Sequence, residues 1–243
     1  YAFGARSACV ADGYEATGNI GIDTTNGTNQ SVLFNDNGDS IALSAVQGGA
    51  GNIASDTATA QSGTVNMTAD GEFTYTPRTG FTGDDTFTYT INNGFSQASQ
   101  CTVTITVSDL IYFMDSSVSA GGDGSLARPY RTAIDHNAKP PVANTVLFID
   151  ENGILYNNGN LQLVSGQTVV GMGTSPANSL FTIAGITPAL LSVPVSYDTT
   201  GDTNDWAQLF NLTSGSAITL NTNNTLSGIS ILNTANYHGI EDN

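Results

Sequence analysis

The sequence predicts an all-β protein in two parts: a two-sheet sandwich over residues 1–108, then the stacked coils of a solenoid over 109–243. Three observations carry this expectation. Apolar residues alternate with Thr in runs such as Phe73-Thr-Tyr75-Thr and Phe87-Thr-Tyr89-Thr-Ile91, the period of two that a half-buried strand requires. Turn signals part these runs at the short, regular intervals of a sandwich. Beyond residue 139 the apolar runs shorten, are parted by Gly, Ser or Asn, and echo one another, as in a repeat architecture. No long stretch has a 3.6-residue period, so little helix is expected.

In the first part, weaker strands are expected around Ile20–Ile22, Val32–Phe34 and Ile41–Val46. The clearest signal is a hairpin: Gly63-Thr-Val-Asn-Met67, a turn at Ala69-Asp70-Gly71, then Glu72-Phe-Thr-Tyr-Thr-Pro77. Asp-Gly supplies the left-handed backbone that a tight turn needs. Asp85–Ile91 follows, with Phe87, Tyr89 and Ile91 on one face, and Asn92-Asn93-Gly94 turns the chain again. The last strand is Cys101–Val107, with Val103, Ile105 and Val107 inward. The two cysteines, Cys9 and Cys101, lie at the two ends of this part. First and last strands of such a sandwich are commonly neighbours, so a Cys9–Cys101 disulfide is expected, worth roughly 4 kcal/mol by chain entropy. The alternative is two buried free thiols. A disulfide would imply an oxidising compartment.

The run Gly63-Thr-Val … Asp70-Gly71-Glu-Phe73-Thr-Tyr75-Thr-Pro77 … Gly80-Phe81-Thr-Gly83-Asp84-Asp85-Thr-Phe87-Thr-Tyr89 resembles the cadherin-like, Ig-like repeats of very large bacterial surface proteins. Leu33-Phe34-Asn35-Asp36 resembles the Asn-Asp pair that follows a strand in that family. The resemblance covers about residues 8–108. It implies an Ig-like β-sandwich used as a spacer or adhesive module.

Ser108-Asp109-Leu110 is a short junction without a Gly/Ser linker, which predicts two domains resting against each other. Next, Ile111-Tyr112-Phe113-Met114-Asp115 … Gly121-Gly122-Asp123-Gly124-Ser125 … Arg128-Pro129-Tyr130-Arg131-Thr132-Ala133-Ile134 resembles the N-terminal cap of pectate-lyase-like proteins. That resemblance implies a strand, a glycine-rich loop, a short helix near the Pro, and then a right-handed parallel β-helix. Strand-length runs follow at 145–149, 161–163, 168–171, 180–183, 209–212, 217–220 and 226–231. Leu163-Val-Ser-Gly-Gln-Thr-Val169 echoes Leu212-Thr-Ser-Gly-Ser-Ala-Ile218 at an offset of 49. This suggests two coils, or one coil with an insertion at 185–208. The last echo falls close to Asn243, so the coils are expected to be incomplete at the C-terminus, with an open lower edge.

Composition restricts function. Charged residues make up 11 % of the chain, against about 25 % in ordinary domains. The five basic residues are Arg6, Arg78, Arg128, Arg131 and Lys139; 21 acidic ones give a net charge of −16. Nucleic acid and anionic membranes are excluded as partners, because both need a basic face. No apolar run has the length of a membrane span. The chain starts without Met and is read as an internal or mature portion of a longer protein.

Candidate chemistry is sparse. Asp36 and Asp39, in Asp36-Asn37-Gly38-Asp39, put carboxylates close together and are the candidate calcium ligands, with Asp12, Asp84 and Asp85 as further donors if the fold brings them near. The competing reading is a turn in which Asn and Asp cap their own backbone. No other cofactor is expected. Lyases of the β-helix family use an Arg base, and no Lys or Arg follows residue 139. Tyr237-His238-Gly239 superficially resembles a polygalacturonase signature without the paired Asp motifs before it. His136 reads as a surface residue, and Trp206 as packing for the insertion. A non-enzymatic extracellular module is therefore expected: an adhesin, an autotransporter-like passenger or a filament component. Its partners would be a host-surface glycan or protein, or another copy pairing at the open edge. The alternative is the N-terminal part of a polysaccharide lyase or glycoside hydrolase whose catalytic coils lie beyond residue 243.

Overall fold

The computed structural model describes residues 8–26, 30–93, 98–150, 159–171, 207–211, 215–233 and 239–242. Strands dominate them, and the chain divides into two compact units between Ser108 and Asp109.

The first unit is built from β1 (Asp12–Gly18), β2 (Ile22–Asp23), β3 (Ala42–Val46), β4 (Thr57–Ala58), β5 (Thr64–Met67), β6 (Phe73–Thr76), β7 (Gly83–Asn92) and the first part of β8 (Ala98–Met114). One sheet has the order β2-β6-β5-β4 and is antiparallel throughout. In the other, β7 lies between β3 and β8, and β1 pairs with β8. The β5–β6 hairpin forms across Asp70-Gly71, with Val65 opposite Tyr75. Alternation decides what is buried: Phe73 and Tyr75 of β6, Phe87, Tyr89 and Ile91 of β7, and Val103, Ile105 and Val107 of β8 all enter one core. Tyr14 and Phe87 meet Phe73 edge-on, with centroids 4.9 and 5.3 Å away.

One local expectation fails here, and one strand was not expected. Val32–Phe34 is a turn, not a strand. The Ser31 hydroxyl accepts from Leu33 N and donates to Asp70 O, so side-chain bonding replaces a ladder and Val32 still reaches the core. Conversely, β1 was not anticipated, because in Asp12–Gly18 only Tyr14 and Ala16 supply apolar alternation.

The second unit contains the end of β8, α1 (Ala133–Ala138), β9 (Val146–Ile149), β10 (Leu161–Gln162), β11 (Thr168–Gly171), β12 (Ala207–Asn211), β13 (Ile218–Leu220), β14 (Thr225–Ser227), β15 (Ile229–Asn233) and β16 (Ile240–Asp242). Among the described residues, every pairing between strands of this unit is parallel. One sheet runs 111–114, β9, β11, β14; a second runs β10, β13, β16; a third pairs β12 with β15. Thr168 pairs with Val146, Ile229 with Ala207 and Ile240 with Ile218, each 22 residues apart. Ile218 pairs with Leu161 and Thr225 with Thr168, each 57 residues apart. The extra 35 residues of those two pairings enter between Gly171 and Ala207, outside the described residues.

In the first of these sheets, residues 111–114, β9 and Val169-Val170 of β11 read as unbroken apolar runs because both of their faces are buried. Tyr112, Met114, Leu147, Ile149 and Val169 belong to the core of this unit, and Ile111, Phe113, Val146, Phe148 and Val170 are buried as well. The corner before each of its later strands repeats too. Asn144, Gly166 and Asn223 all adopt positive φ, each two residues before a strand. Asn and Gly occupy that region at the least steric cost.

These registers correct the sequence echo. Val169 lies beside Leu226, not Ile218, so the offset of 49 is not a structural repeat. In both copies a glycine at positive φ, Gly166 and Gly215, stands shortly before a strand. They feed different sheets, and local likeness misled the alignment. The single run at 226–231 is likewise two strands, β14 and β15, parted at Gly228, whose positive φ turns the chain from one sheet to another. The run expected at 180–183 lies outside the described residues.

The outer edge of 111–114 is covered. Phe113 N donates to Gly124 O, Tyr130 N to Phe113 O, and Asp115 N to Tyr130 O. Gly122 packs so closely on the Pro129 carbonyl that a Cβ would collide with it. Thr132 caps α1 by accepting from Asp135 N.

A cysteine pair tests the register. Gln162 faces Thr219 in parallel ladders about 4.8 Å apart, within disulfide reach. The full chain carrying Q162C and T219C should cross-link under oxidised glutathione, as read by peptide mass mapping. The Q162C/N211C pair, which the offset of 49 would juxtapose, should remain unlinked.

Candidate functional site

Cys9 and Cys101 form a disulfide, with Cα atoms 5.8 Å apart. Cys101 faces Tyr89 across the β7–β8 ladder, and Cys9 N donates to Ser99 Oγ at 3.3 Å. The bond therefore brings the chain just after Cys9 to the end of the Tyr89 side chain. Val10 N donates to Asp36 Oδ1 at 2.7 Å. The Tyr89 hydroxyl lies 3.1 Å from Val10 O, 3.1 Å from Asp12 Oδ2, 3.2 Å from Val32 O, and 3.0 and 3.2 Å from the two Asp36 oxygens. Asn35 Nδ2 donates to Asp12 Oδ1 at 3.0 Å. Burial, opposed by the bonds from Tyr89 and Asn35 and assisted by the Asp36 charge, pushes the Asp12 carboxyl up to about 6. Burial raises Asp36 as well, against the bonds from Val10 and Tyr89. It also raises Tyr89 and Tyr14, with the Asp12 charge adding to both.

Of the two sequence-predicted calcium ligands, Asp36 thus lies on Tyr89 with Asp12, while Asp39 is exposed and is not among the groups on that hydroxyl. Asp84 accepts from Thr106 Oγ1 at 2.9 Å on the outer surface. Among the described residues, no three acidic, His or Cys side chains are grouped to hold a metal ion.

Asp85 is a second centre: the sequence offered it as a further calcium donor, and its role as a buried hydrogen-bond acceptor was missed. Only 1 % of it is exposed. Its carboxylate accepts from Thr59 Oγ1, from Tyr75 OH at 3.0 Å, and from Gln61 N and Thr86 N at 2.8 Å. Four hydrogen-bond donors thus meet this buried carboxyl. Gly63 leaves the room: a Cβ there would stand 2.8 Å from Asp85 Oδ2. The signal was present, since strand alternation puts Asp85 on the inward face with Phe87 and Tyr89.

In the second unit His136 is wholly buried, which corrects the surface assignment. It lies in α1 with the Tyr130 ring edge-on at 5.4 Å. Its Nδ1 is 3.1 Å from Asn137 Oδ1 and its Nε2 is 3.4 Å from Gln167 Nε2. Other bonds orient both amides. Asn137 Nδ2 donates to Asn160 O and its oxygen accepts from Gln162 N, while Gln167 Oε1 accepts from Val164 N. A neutral ring with its proton on Nδ1 fits both neighbours. A protonated ring would turn a second N–H toward the Gln167 amino group, donor against donor. Burial lowers the His136 pKa accordingly, outweighing the two hydrogen bonds. His238 and Trp206 lie outside the described residues.

The bacterial cadherin-like domain family model matches residues 9–109. That span holds the disulfide, the Tyr89 cluster and the Asp85 cluster. No curated protein matches the chain.

Two outcomes follow from this geometry. Replacing both cysteines by Ser (C9S/C101S) should lower the stability of the first unit by about 4–5 kcal/mol, since the bond closes a loop with a sequence separation of 92; denaturant unfolding measures it. The lowered His136 pKa acts in the opposite sense from a bound proton. The unfolded chain takes up a proton near pH 6.5 and the folded one only below that, so stability of the second unit is lost as pH falls through this window. The slope should reach at most about 1.4 kcal/mol per pH unit, and His136→Gln should flatten it in hydrogen exchange of the Leu147 and Val169 amides.

Proposed function

We propose that this chain is a structural and adhesive segment of a bacterial secreted or cell-surface protein, in which a cadherin-like, Ig-like sandwich is followed by a right-handed parallel β-helix of the pectate-lyase-like type. The observation that carries the reading is the set of parallel pairings at offsets of 22, spread over three sheets that the chain visits in turn. Each coil buries its inward side chains only against the next, so the core is continuous and the backbone ladder runs along the stack. Such a stack is stiff, and the family match at 9–109 supports a spacer or adhesive role beside it. The disulfide suits an oxidising compartment. No helix among the described residues is long and apolar enough to cross a membrane.

On this reading the segment works by contact and not by turnover, with a host-surface glycan or protein as its ligand. Displayed on a non-adherent bacterium, the full chain should raise retention on glycan- or protein-coated surfaces under flow, and C9S/C101S should weaken it. Incubated with polygalacturonate and related uronans, it should release neither unsaturated products nor new reducing ends. Product release by the purified chain would replace the adhesive reading with the lyase or hydrolase one.

A further inference from the structure

Tension on a folded chain follows covalent bonds, and the disulfide opens a second covalent path through the first unit. Along the backbone Cys9 and Cys101 are 92 residues apart, whereas through the bond their Cα atoms are 5.8 Å apart. β1 to β7 all lie within the loop so closed, and with them the core residues Phe73, Tyr75, Phe87 and Tyr89. On the near side of Cys9, Ala8 is paired with Asn37 by two backbone hydrogen bonds of 2.9 and 3.0 Å. On the far side of Cys101 the chain is already extended. Residues 102–107 continue β8 against β7, with Thr102 opposite Thr88 and Val107 opposite Gly83.

We propose that the Cys9–Cys101 disulfide is a load bypass: tension that reaches Cys9 crosses directly to Cys101 and leaves along β8, so that residues 10–100 hang on the load line without carrying it. The inference rests on the adhesive reading, in which a surface-held segment is pulled from both sides. A loop closed by a covalent bond carries none of the tension that passes its neck. Residues 102–107 take the load at almost full length, since a strand rises about 3.3 Å per residue and a taut chain at most about 3.6 Å. They are pulled equally from both ends, so the β7 ladder beside them feels no net drag. The Ala8–Asn37 pair gives way before any strand of the sandwich is reached. Without the bond the path changes. Tension then enters at β1 and runs through every strand in turn, and the core must come apart for the chain to extend. The bypass thus keeps the faces of the sandwich folded while the segment is stretched.

The test holds the full chain by peptide tags at its two ends in an optical trap, which leaves both cysteines paired. Drawn to full extension, the chain reduced with dithiothreitol should be longer than the oxidised one by roughly 300–330 Å, the span of the 92-residue loop pulled straight. C9S/C101S should match the reduced chain. This difference stands whether or not the reduced sandwich folds, because it counts residues and not force peaks. An antibody fragment that binds the native sandwich reads the core directly. It should stay on the oxidised chain while the rest is drawn out, and leave the reduced chain as that extends. Equal lengths with and without reductant overturn the proposal. Loss of the fragment from the oxidised chain under load overturns it too, since the core would then be broken with the bond intact. Failure of the adhesive reading looks different: a bypass that holds in the trap, with no gain in retention under flow, leaves the load path standing and removes the adhesive ligand.

Discussion

Shortage of positive charge governs how this chain can bury anything polar. Five basic side chains stand against 21 acidic ones, and among the described residues the one ion pair given by geometry joins Arg128 to Asp123 at 3.5 Å, near the surface. A buried carboxylate here must be satisfied by hydroxyls, amides and backbone N–H groups. Asp85 achieves this with four donors inside the sandwich. Asp12 and Asp36 fall short of it, because a single phenol proton stands between them. Buried acids of this chain thus differ in how many donors reach them.

The same shortage suits the second unit. Parallel pairing in register places side chains of neighbouring coils directly beside one another, where like charges would repel. Neutral amides and hydroxyls can instead bond from coil to coil. Asn137 donates to Asn160 O, Asn160 donates to Ser216, and the one Thr219 hydroxyl proton lies within reach of both Asn160 Oδ1 and Glu241 Oε1. Ser165 meets Thr222 at 2.6 Å, and Asn224 reaches Val164 O at 2.7 Å. The composition that first looked merely uncharged is therefore matched to the stacking. Val146–Ile149 and Ile111–Met114, buried on both faces, supply the apolar counterpart.

Alternation made much of the first unit readable before any coordinates. The β5–β6 hairpin, the inward face of β7 and that of β8 each follow from a period of two, and the cysteines follow from their places at the two ends. What escaped was bonding that the pattern does not encode. Ser31 turns Val32–Phe34 into a side-chain-capped turn, and β1 pairs with β8 on two inward residues. Asp36 and Asp12, 24 positions apart, meet only because Tyr89 reaches both. In the second unit, strand positions were readable but registers were not. Ser-Gly pairs recur before strands of different sheets, so a sequence comparison locked onto an offset of 49 while the backbone pairs at 22 and 57. His136 escaped because a lone histidine beside Asp135 and Asn137 looks solvated until α1 is seen packed on β10 and Tyr130.

The pairing of Thr168 with Thr225 and of Leu161 with Ile218 at the longer interval, flanked by pairings at the shorter one, shows that additional chain enters at a single corner while the alignment on either side is kept. A corner of this kind is a port. Because the registers on either side of it are kept, sequence can change there without shifting a rung of the stack. Variation among natural versions of this protein should then concentrate between Gly171 and Ala207, leaving the rungs above and below it comparatively quiet.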